Sequence, residues 1–394
     1  MLKGKTIVIG VTGSIAAYKI ASLCSQLVKM EADVHVLMTQ NATNFINPIT
    51  FETLTSNKCI VDTFDRNFSF EVEHVSLGKK ADIMLIAPAS ANVIGKIAGG
   101  IADDMLTTTV LACKAPVYIA PTMNTTMYEN GIVQDNLEKL KKFGYHIIDP
   151  SCGRLACKDV GAGKMPEPEE LLQYILKEVA FEKDMAGKKV LITAGPTLEA
   201  IDPVRFISNH STGKMGYALA KDAMLRGAEV TLVLGPSNLK PLPFVKTVHV
   251  QSAQDMADAV LEVSDNMDIC VLSAAVADYT PMHVAKEKMK KSGDGAVLEL
   301  KNTVDILKTL GERKIDGQIL VGFCMETEDL IHRAQGKLER KNADYIVANS
   351  LRTKGAGFGT DTNVVTIIDK HMVKELPLLT KEQVAHEIFD VVLK

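Results

Sequence analysis

Neither charge dominates this chain: 44 Lys and Arg stand against 48 Asp and Glu in 394 residues, a formal net charge of −4. The balance also holds by halves, with 18 basic against 21 acidic residues before Gly187 and 26 against 27 from there on. Lacking a basic face, the chain is a poor partner for nucleic acid or for an anionic membrane. No apolar run approaches the roughly 18 residues of a membrane span. The opening Met1-Leu2-Lys3-Gly4-Lys5 runs straight into a strand-like segment with no cleavage signal, so a cytoplasmic protein is expected. The seven cysteines lack the Cys-x-x-Cys pairs of a zinc knuckle, which points to reduced thiols without structural metal. Cys24, Cys59, Cys113, Cys270 and Cys324 lie in apolar stretches as small buried hydrophobes, whereas Cys152 and Cys157 flank Gly153 and Arg154 in a loop-like stretch that ends in Gly161-Ala162-Gly163.

What is present is a start repeated twice. Lys5-Thr6-Ile7-Val8-Ile9-Gly10-Val11-Thr12-Gly13-Ser14 is echoed by Lys188-Lys189-Val190-Leu191-Ile192-Thr193-Ala194-Gly195-Pro196-Thr197. Each joins an apolar strand to a small-residue turn, the opening of a parallel α/β domain in which glycine lets the backbone approach a phosphate at a helix N-terminus. Short apolar runs alternate with amphipathic stretches in both halves: Thr6–Ile9, Asp33–Met38, Ile83–Ala87, Val117–Ala120 and His146–Ile148 in the first, Val190–Ala194, Val230–Leu234, Ile269–Ala274, Ile319–Phe323 and Tyr345–Ala348 in the second. Strands this continuously apolar are buried on both faces, so two doubly wound Rossmann-like α/β domains are expected, residues 1–185 and 186–394. Asn363–Ile368 and Met372–Leu376 read as a late hairpin. A charged loop between Ala277 and Leu300 and a Gly-rich one over Lys354–Thr360 are long enough to be functional lids or simply solvated segments.

The strand exits carry the candidate site residues. Gly10-x-x-Gly13-x-x-Ala16 resembles a dinucleotide fingerprint, yet the second strand ends in Thr39 where an NAD site would carry Asp or Glu for the ribose. A hydroxyl there suits flavin mononucleotide or another single-phosphate ligand and disfavours an NAD-dependent dehydrogenase; Gly13 and Ser14 equally suit a plain helix cap. Ser90 and Asn92 follow one strand, and Asn124 follows another, at the edge where open α/β sheets bind ligands. His74 stands outside the strand pattern, where a lone histidine is a structural residue or a base.

In combination, Gly13-Ser14, His74 before Ser76-Leu77, Pro121-x-Met123-Asn124-x-x-Met127 and Ala156-Cys157 resemble the flavin-dependent cysteine decarboxylases. The block from Gly195-Pro196-Thr197 through Asp202-Pro203-Val204-Arg205-Phe206-Ile207-Ser208-Asn209-x-Ser211-Thr212-Gly213-Lys214-Met215-Gly216 resembles phosphopantothenate–cysteine ligase. Joined in this order, the chain resembles the bifunctional bacterial family of coenzyme A biosynthesis, over essentially its whole length. One departure is Tyr128, where relatives often have Trp; the chain has no Trp at all.

The resemblance implies a flavodoxin-like first domain that holds FMN through Gly13, Ser14, Thr39 and Ser90. His74 would serve the oxidative decarboxylation, Asn124 would bind the substrate carboxylate and Cys157 would supply a proton in the final reduction. It implies a second domain that joins 4′-phosphopantothenate to L-cysteine with CTP through an acyl-cytidylate. There Asn209 would hold the intermediate and Lys288 would offset phosphate charge. Nucleotide contacts are carried onto Ser273, Ala274, Ala275, Asp278, Phe323, Lys337 and Lys341, the last two four apart on one expected helix. Mg2+ would bridge the phosphates, its ligands unassigned. A homo-oligomer is implied, with trimeric decarboxylase and dimeric ligase contacts building a dodecamer. A nucleotide-sensing protein that consumes neither ligand is the rival from another class.

Overall fold

The computed structural model describes residues 1–64, 73–154, 160–290, 297–326, 330–350, 357 and 359–394. They form two compact units, Met1–Phe181 and Glu182–Lys394.

The first unit runs β1 (Thr6–Val11), α1 (Tyr18–Lys29), β2 (Asp33–Met38), α2 (Pro48–Thr55), α3 (Glu73–Lys80), β3 (Ile83–Ala89), α4 (Ala91–Gly99), α5 (Met105–Ala112), β4 (Val117–Pro121), α6 (Thr125–Tyr128), α7 (Gly131–Lys142), β5 (His146–Ile147), β6 (Ser151–Arg154), β7 (Val160–Lys164) and α8 (Pro168–Val179). Strands β1, β3 and β4 are buried at every position, which is why helices must cover both faces. Helix α1 answers with Ile20, Leu23, Cys24 and Leu27 buried along one stripe. The strand order is β2-β1-β3-β4-β5, all parallel, the flavodoxin-like winding with its switch point between β1 and β3. Strands β6 and β7 form a separate antiparallel hairpin.

The second unit continues with β8 (Lys189–Ala194), β9 (Leu198–Ala200), β10 (Phe206–Ser208), α9 (Lys214–Leu225), β11 (Glu229–Leu234), β12 (Lys246–His249), α10 (Ala253–Val263), β13 (Ile269–Leu272), β14 (Tyr279–Pro281), β15 (Leu300–Asn302), α11 (Ile306–Arg313), β16 (Ile319–Glu326), α12 (Leu330–Arg340), β17 (Tyr345–Ser350), β18 (Thr362–Asn363), β19 (Val365–Ile368), β20 (Val373–Glu375), β21 (Leu379–Thr380) and α13 (Lys381–Val392). Its main sheet has the order β12-β11-β8-β13-β16-β17-β19-β20. The first six strands are parallel and wound as in a Rossmann fold, switching between β8 and β13. The expected late hairpin is present as the antiparallel pair β19 and β20.

Two local features add to the sequence reading. The second phosphate-loop start does not lead directly into a helix: the antiparallel pair β9 and β10 intervenes, and the first helix of this unit begins only at Lys214. The charged loop after Ala277 is flanked by paired strands, because β14 and β15 join antiparallel across its base.

Candidate functional site

In the first unit the strand exits are tied to one another by side chains. Thr12, fully buried at the end of β1, donates its hydroxyl to the carbonyl oxygen of Pro88 at 2.6 Å and accepts the N–H of Ser90 at 2.9 Å. The N–H of Thr39 donates to the carbonyl of Val11 at 3.0 Å, and that of Thr122 to Ala89 at 2.9 Å. Gly13, Ser14, Thr39 and Ser90 are therefore gathered at the carboxyl edge of one sheet, across its switch point. Each hydroxyl there caps a following turn: Ser14 accepts from Ala16, Thr39 from Ala42 and Ser90 from Val93. Side chains pack tightly onto both glycines of this turn, since a Cβ on Gly13 would stand 2.9 Å from Cβ of Asn41 and one on Gly10 would stand 2.5 Å from the Leu106 side chain.

Asn124 caps α6, accepting the N–H of Thr126 at 2.8 Å. The β6–β7 hairpin packs directly on this segment. Met123 donates its N–H to the carbonyl of Gly163 at 3.1 Å. Gly163 has φ +125°, and a Cβ there would fall 2.3 Å from the Met123 carbonyl oxygen. A Cβ on Gly161 would fall 2.7 Å from Thr125. Only glycine at both positions lets the hairpin lie this close to Asn124. Cys157, between the two hairpin strands, lies outside the described residues. His74 is half-buried at the second position of α3, so the stretch outside the strand pattern is helical.

In the second unit the switch point is stitched in the same manner. Ser273 donates to the Thr193 carbonyl at 2.6 Å, Ala274 donates its N–H to the Thr193 hydroxyl at 3.1 Å, and Ala275 donates its N–H to the Gly195 carbonyl at 2.9 Å. Asn209, following β10, donates its side-chain amide to the carbonyl of Ala275 at 2.9 Å. Gly213 closes the turn before α9 with φ +80°, and a Cβ on it would lie 3.3 Å from the backbone of Gly195. The two halves of the phosphate loop, separated in sequence by β9 and β10, thus meet in space. Gly216 then seats α9 on β8, since a Cβ would fall 2.4 Å from Ala194 and 2.6 Å from the Ser273 hydroxyl.

A cavity of about 930 Å³ opens over this junction. Asn209, Ser273, Ala274, Ala275 and Asp278 line one side. Phe323 of β16 lines it too, with Lys337 on α12 and Lys341 just beyond that helix, still bonded to it by an N–H to the Lys337 carbonyl at 2.9 Å. The Lys341 ammonium pairs with Asp305, which also faces the cavity. Burial raises the Asp305 carboxyl, but the hydrogen bonds from Lys341 and the Lys308 N–H outweigh it and hold it below the usual range. Lys288 is not a lining residue: it is exposed, on the segment after β14.

Sequence reasoning missed a cationic corner of the same cavity. Lys214 pairs with Asp361 at 2.6 Å, and the buried Lys381 donates to the carbonyls of Thr360 at 2.6 Å and Gly357 at 3.3 Å. Burial, then the neighbouring Lys214 charge, push the Lys381 ammonium below its ordinary pKa, with Asp361 opposing. Lys214 lay within the recognised block, whereas Lys381 carried no signal because it opens a helix far along the chain. The Gly-rich loop that precedes it lies partly outside the described residues. No helix of the described residues is long and apolar enough to cross a membrane.

Comparison with known proteins follows the same division. A flavoprotein family model matches residues 1–180, and the DNA/pantothenate metabolism flavoprotein C-terminal domain matches residues 185–394. The chain is 51% identical over 392 residues to the coenzyme A biosynthesis bifunctional protein CoaBC of Bacillus subtilis (strain 168), covering 98% of this chain and 96% of that protein. A cysteine/cysteine sulfinic acid decarboxylase of an unknown prokaryotic organism is 47% identical over 354 residues, 88% of this chain and 99% of that one. Among solved structures, the C-terminal domain of a coenzyme A biosynthesis bifunctional protein CoaBC is 50% identical with a TM-score of 0.47, covering 54% of this chain and 97% of that domain.

Proposed function

The chain belongs to the family of coenzyme A biosynthesis bifunctional proteins, with a flavoprotein decarboxylase half and a phosphopantothenate–cysteine ligase half, and we propose that it uses CTP for the ligation and FMN for the decarboxylation. The observation that carries the ligase reading is the bond from Asn209 to Ala275, which brings the Asn209 to Met215 end of the recognised block against the β13 exit inside one cavity. The carboxylate of 4′-phosphopantothenate attacks the α-phosphate of CTP and releases pyrophosphate. The amine of L-cysteine then displaces CMP to form the amide.

Asn209 holds the acyl-cytidylate, while Ser273, Ala274, Ala275, Asp278 and Phe323 bind the nucleotide. Lys337 and Lys341 face its phosphates, and Lys288, exposed outside the cavity lining, would offset the developing charge. Asp278 lines the cavity and would help to hold an Mg2+ ion, which would offset phosphate charge there, whereas both oxygens of Asp305 are engaged by Lys341 and the Lys308 N–H.

In the flavin half, the capped turns after Ser14, Thr39 and Ser90 at the carboxyl edge, across the switch point of the sheet, fit a phosphate-bearing ring system. Gly13, Ser14, Thr39 and Ser90 would hold it. When bound, FMN supplies reversible two-electron chemistry at the thiol-bearing carbon of the substrate, which lets CO2 leave without an unstabilised carbanion. Asn124 binds the carboxylate that is lost, His74 moves a proton, and Cys157 donates one to the product. Residues after the strand exits leave large apolar side chains exposed, Ile15, Tyr18, Phe45, Ile49 and Met127 in the first unit and Val204, Phe206 and Tyr279 in the second. This supports self-association through each unit, and the assembly we propose has trimeric contacts in the first, dimeric ones in the second and a dodecamer built from both. The place of action we infer is the cytoplasm.

The test is one preparation given 4′-phosphopantothenate, L-cysteine and either CTP or ATP. Pyrophosphate release with CTP, followed by 4′-phosphopantetheine, is expected. A colourless protein that releases no pyrophosphate overturns the reading. Decarboxylation of free cysteine alone would instead favour the activity named for the second relative above.

A further inference from the structure

Asp202 makes contacts that its place in the ligase block does not explain. Its carboxylate is buried and accepts five hydrogen bonds. Two of them, from the N–H groups of Val204 and Arg205 at 2.8 Å each, close the local turn. Two more come from the guanidinium of Arg205, with Nε at 2.9 Å. The fifth comes from the N–H of Met289 at 3.2 Å, 87 residues further along the chain. Arg205 Nη2, in turn, donates to the Met289 carbonyl at 3.0 Å. The ion pair therefore grips both polar groups of one peptide residue, the N–H through the acid and the C=O through the base.

A second tie lies four residues earlier, where Ala285 donates its N–H to the carbonyl of Ile201 at 3.0 Å. The segment from Ala285 to Met289 is thus an arch pinned at both feet to the Ile201–Arg205 turn, with Lys286, Glu287 and Lys288 exposed on its span. A purely local turn would need only the first two bonds. Three further donors on one buried carboxylate are spent on Arg205 and the foot of the arch, directly beside Lys288.

We propose that Asp202 is a positioning residue for the ligase step: with Arg205 it anchors Met289 and so fixes the base of the exposed span from which Lys288, outside the cavity lining, reaches the nucleotide phosphates. This rests on the role given to Lys288 under the proposed function. Asp202→Asn keeps the size and the two turn bonds but replaces the oxygen that faces Arg205 and Met289 with a donor. The arch is then released, and a catalytic group displaced by about 1 Å loses on the order of 100-fold in rate.

The experiment combines exchange and kinetics on the full-length protein. In the unsubstituted protein, residue-resolved hydrogen exchange should show slow amides at Ala285 and Met289 and fast ones at Lys286 to Lys288. A Met289 amide as fast as those of the span overturns the anchor without any variant. Pyrophosphate release is then measured in a double-mutant cycle of Asp202→Asn and Lys288→Gln. Asp202→Asn alone should lower kcat by about 100-fold with KM for cysteine unchanged, and in the Lys288→Gln background it should cost less than about threefold. An equal loss in both backgrounds means that Asp202 acts only through stability, and overturns the proposal. If Lys288→Gln by itself leaves the rate intact, the role of Lys288 fails and the positioning role falls with it, an outcome distinguishable from the others by that single variant.

Discussion

The hydroxyl of Thr12 donates to the carbonyl oxygen of Pro88 at 2.6 Å, joining the end of the first strand to the end of the third where the winding of the flavin-side sheet reverses. The Thr12 hydroxyl oxygen in turn accepts the Ser90 N–H at 2.9 Å, so one buried side chain sets the spacing of the phosphate turn and the Ser90 cap.

Thr12→Val keeps the shape and removes both bonds, leaving the buried Pro88 carbonyl and the partly buried Ser90 N–H without that partner. A loss of about 1–3 kcal/mol in stability of the first unit is expected, with flavin released during purification. Denaturant unfolding and the flavin-to-protein absorbance ratio check it; full stability with full flavin content would refute the role.

Gly163→Ala should separate the two activities. Its φ of +125° and the 2.3 Å approach of a new Cβ to the Met123 carbonyl force the β6–β7 hairpin away from Asn124. Strain of about 1–3 kcal/mol corresponds to a fall of about 5- to 160-fold in decarboxylation, while pyrophosphate release with CTP stays unchanged. Following both products in one reaction should show phosphopantothenoylcysteine accumulating.

The catalytic assignments predict opposite blocks. Lys288→Gln should slow pyrophosphate release about 100- to 1000-fold and leave decarboxylation of supplied phosphopantothenoylcysteine intact. His74→Asn should keep flavin and amide formation yet stop decarboxylation. Either variant losing both activities would count against a division of labour between the units.

Asp222 supplies a pH test in the second unit. Burial pushes its carboxyl up to about 6, against the opposing pull of His386 and Arg226. Because the folded value lies above the unfolded one, the stability this group contributes is present below about pH 4 and lost as pH rises through about 6. The cost of ionisation reaches up to about 3 kcal/mol at neutral pH. Asp222→Asn does not titrate, so its melting temperature relative to the unsubstituted protein should be more favourable at pH 7.5 than at pH 5; the reverse order would refute the direction of the shift.

Much of the architecture was readable because it depends on patterns that are local in sequence. Continuously apolar segments such as Thr6–Ile9 and Val190–Ala194 have to be buried on both faces, and that alone requires parallel strands with helices on each side. The strands β9 and β10 escaped notice because three residues each are too few for a period of two to emerge. The hydroxyls of Ser14, Thr39 and Ser90 were legible as strand-exit residues, but their caps draw on the same chemistry as ligand binding, so the sequence left both readings open. Thr12 and Lys381 gave no signal, since a buried threonine and a buried lysine look in sequence like any others.

The order of residues alone determined that this chain forms two wound sheets with glycine-bearing turns at their carboxyl edges, because hydrophobic period and backbone freedom are properties of neighbours. Tertiary structure alone decided which distant groups meet: Gly195 with Gly213, Asn209 with Ala275, Asp202 with Met289. Such pairings depend on how strands wind through space, and hydrogen bonds act only within about 3 Å however far apart the residues lie in the chain.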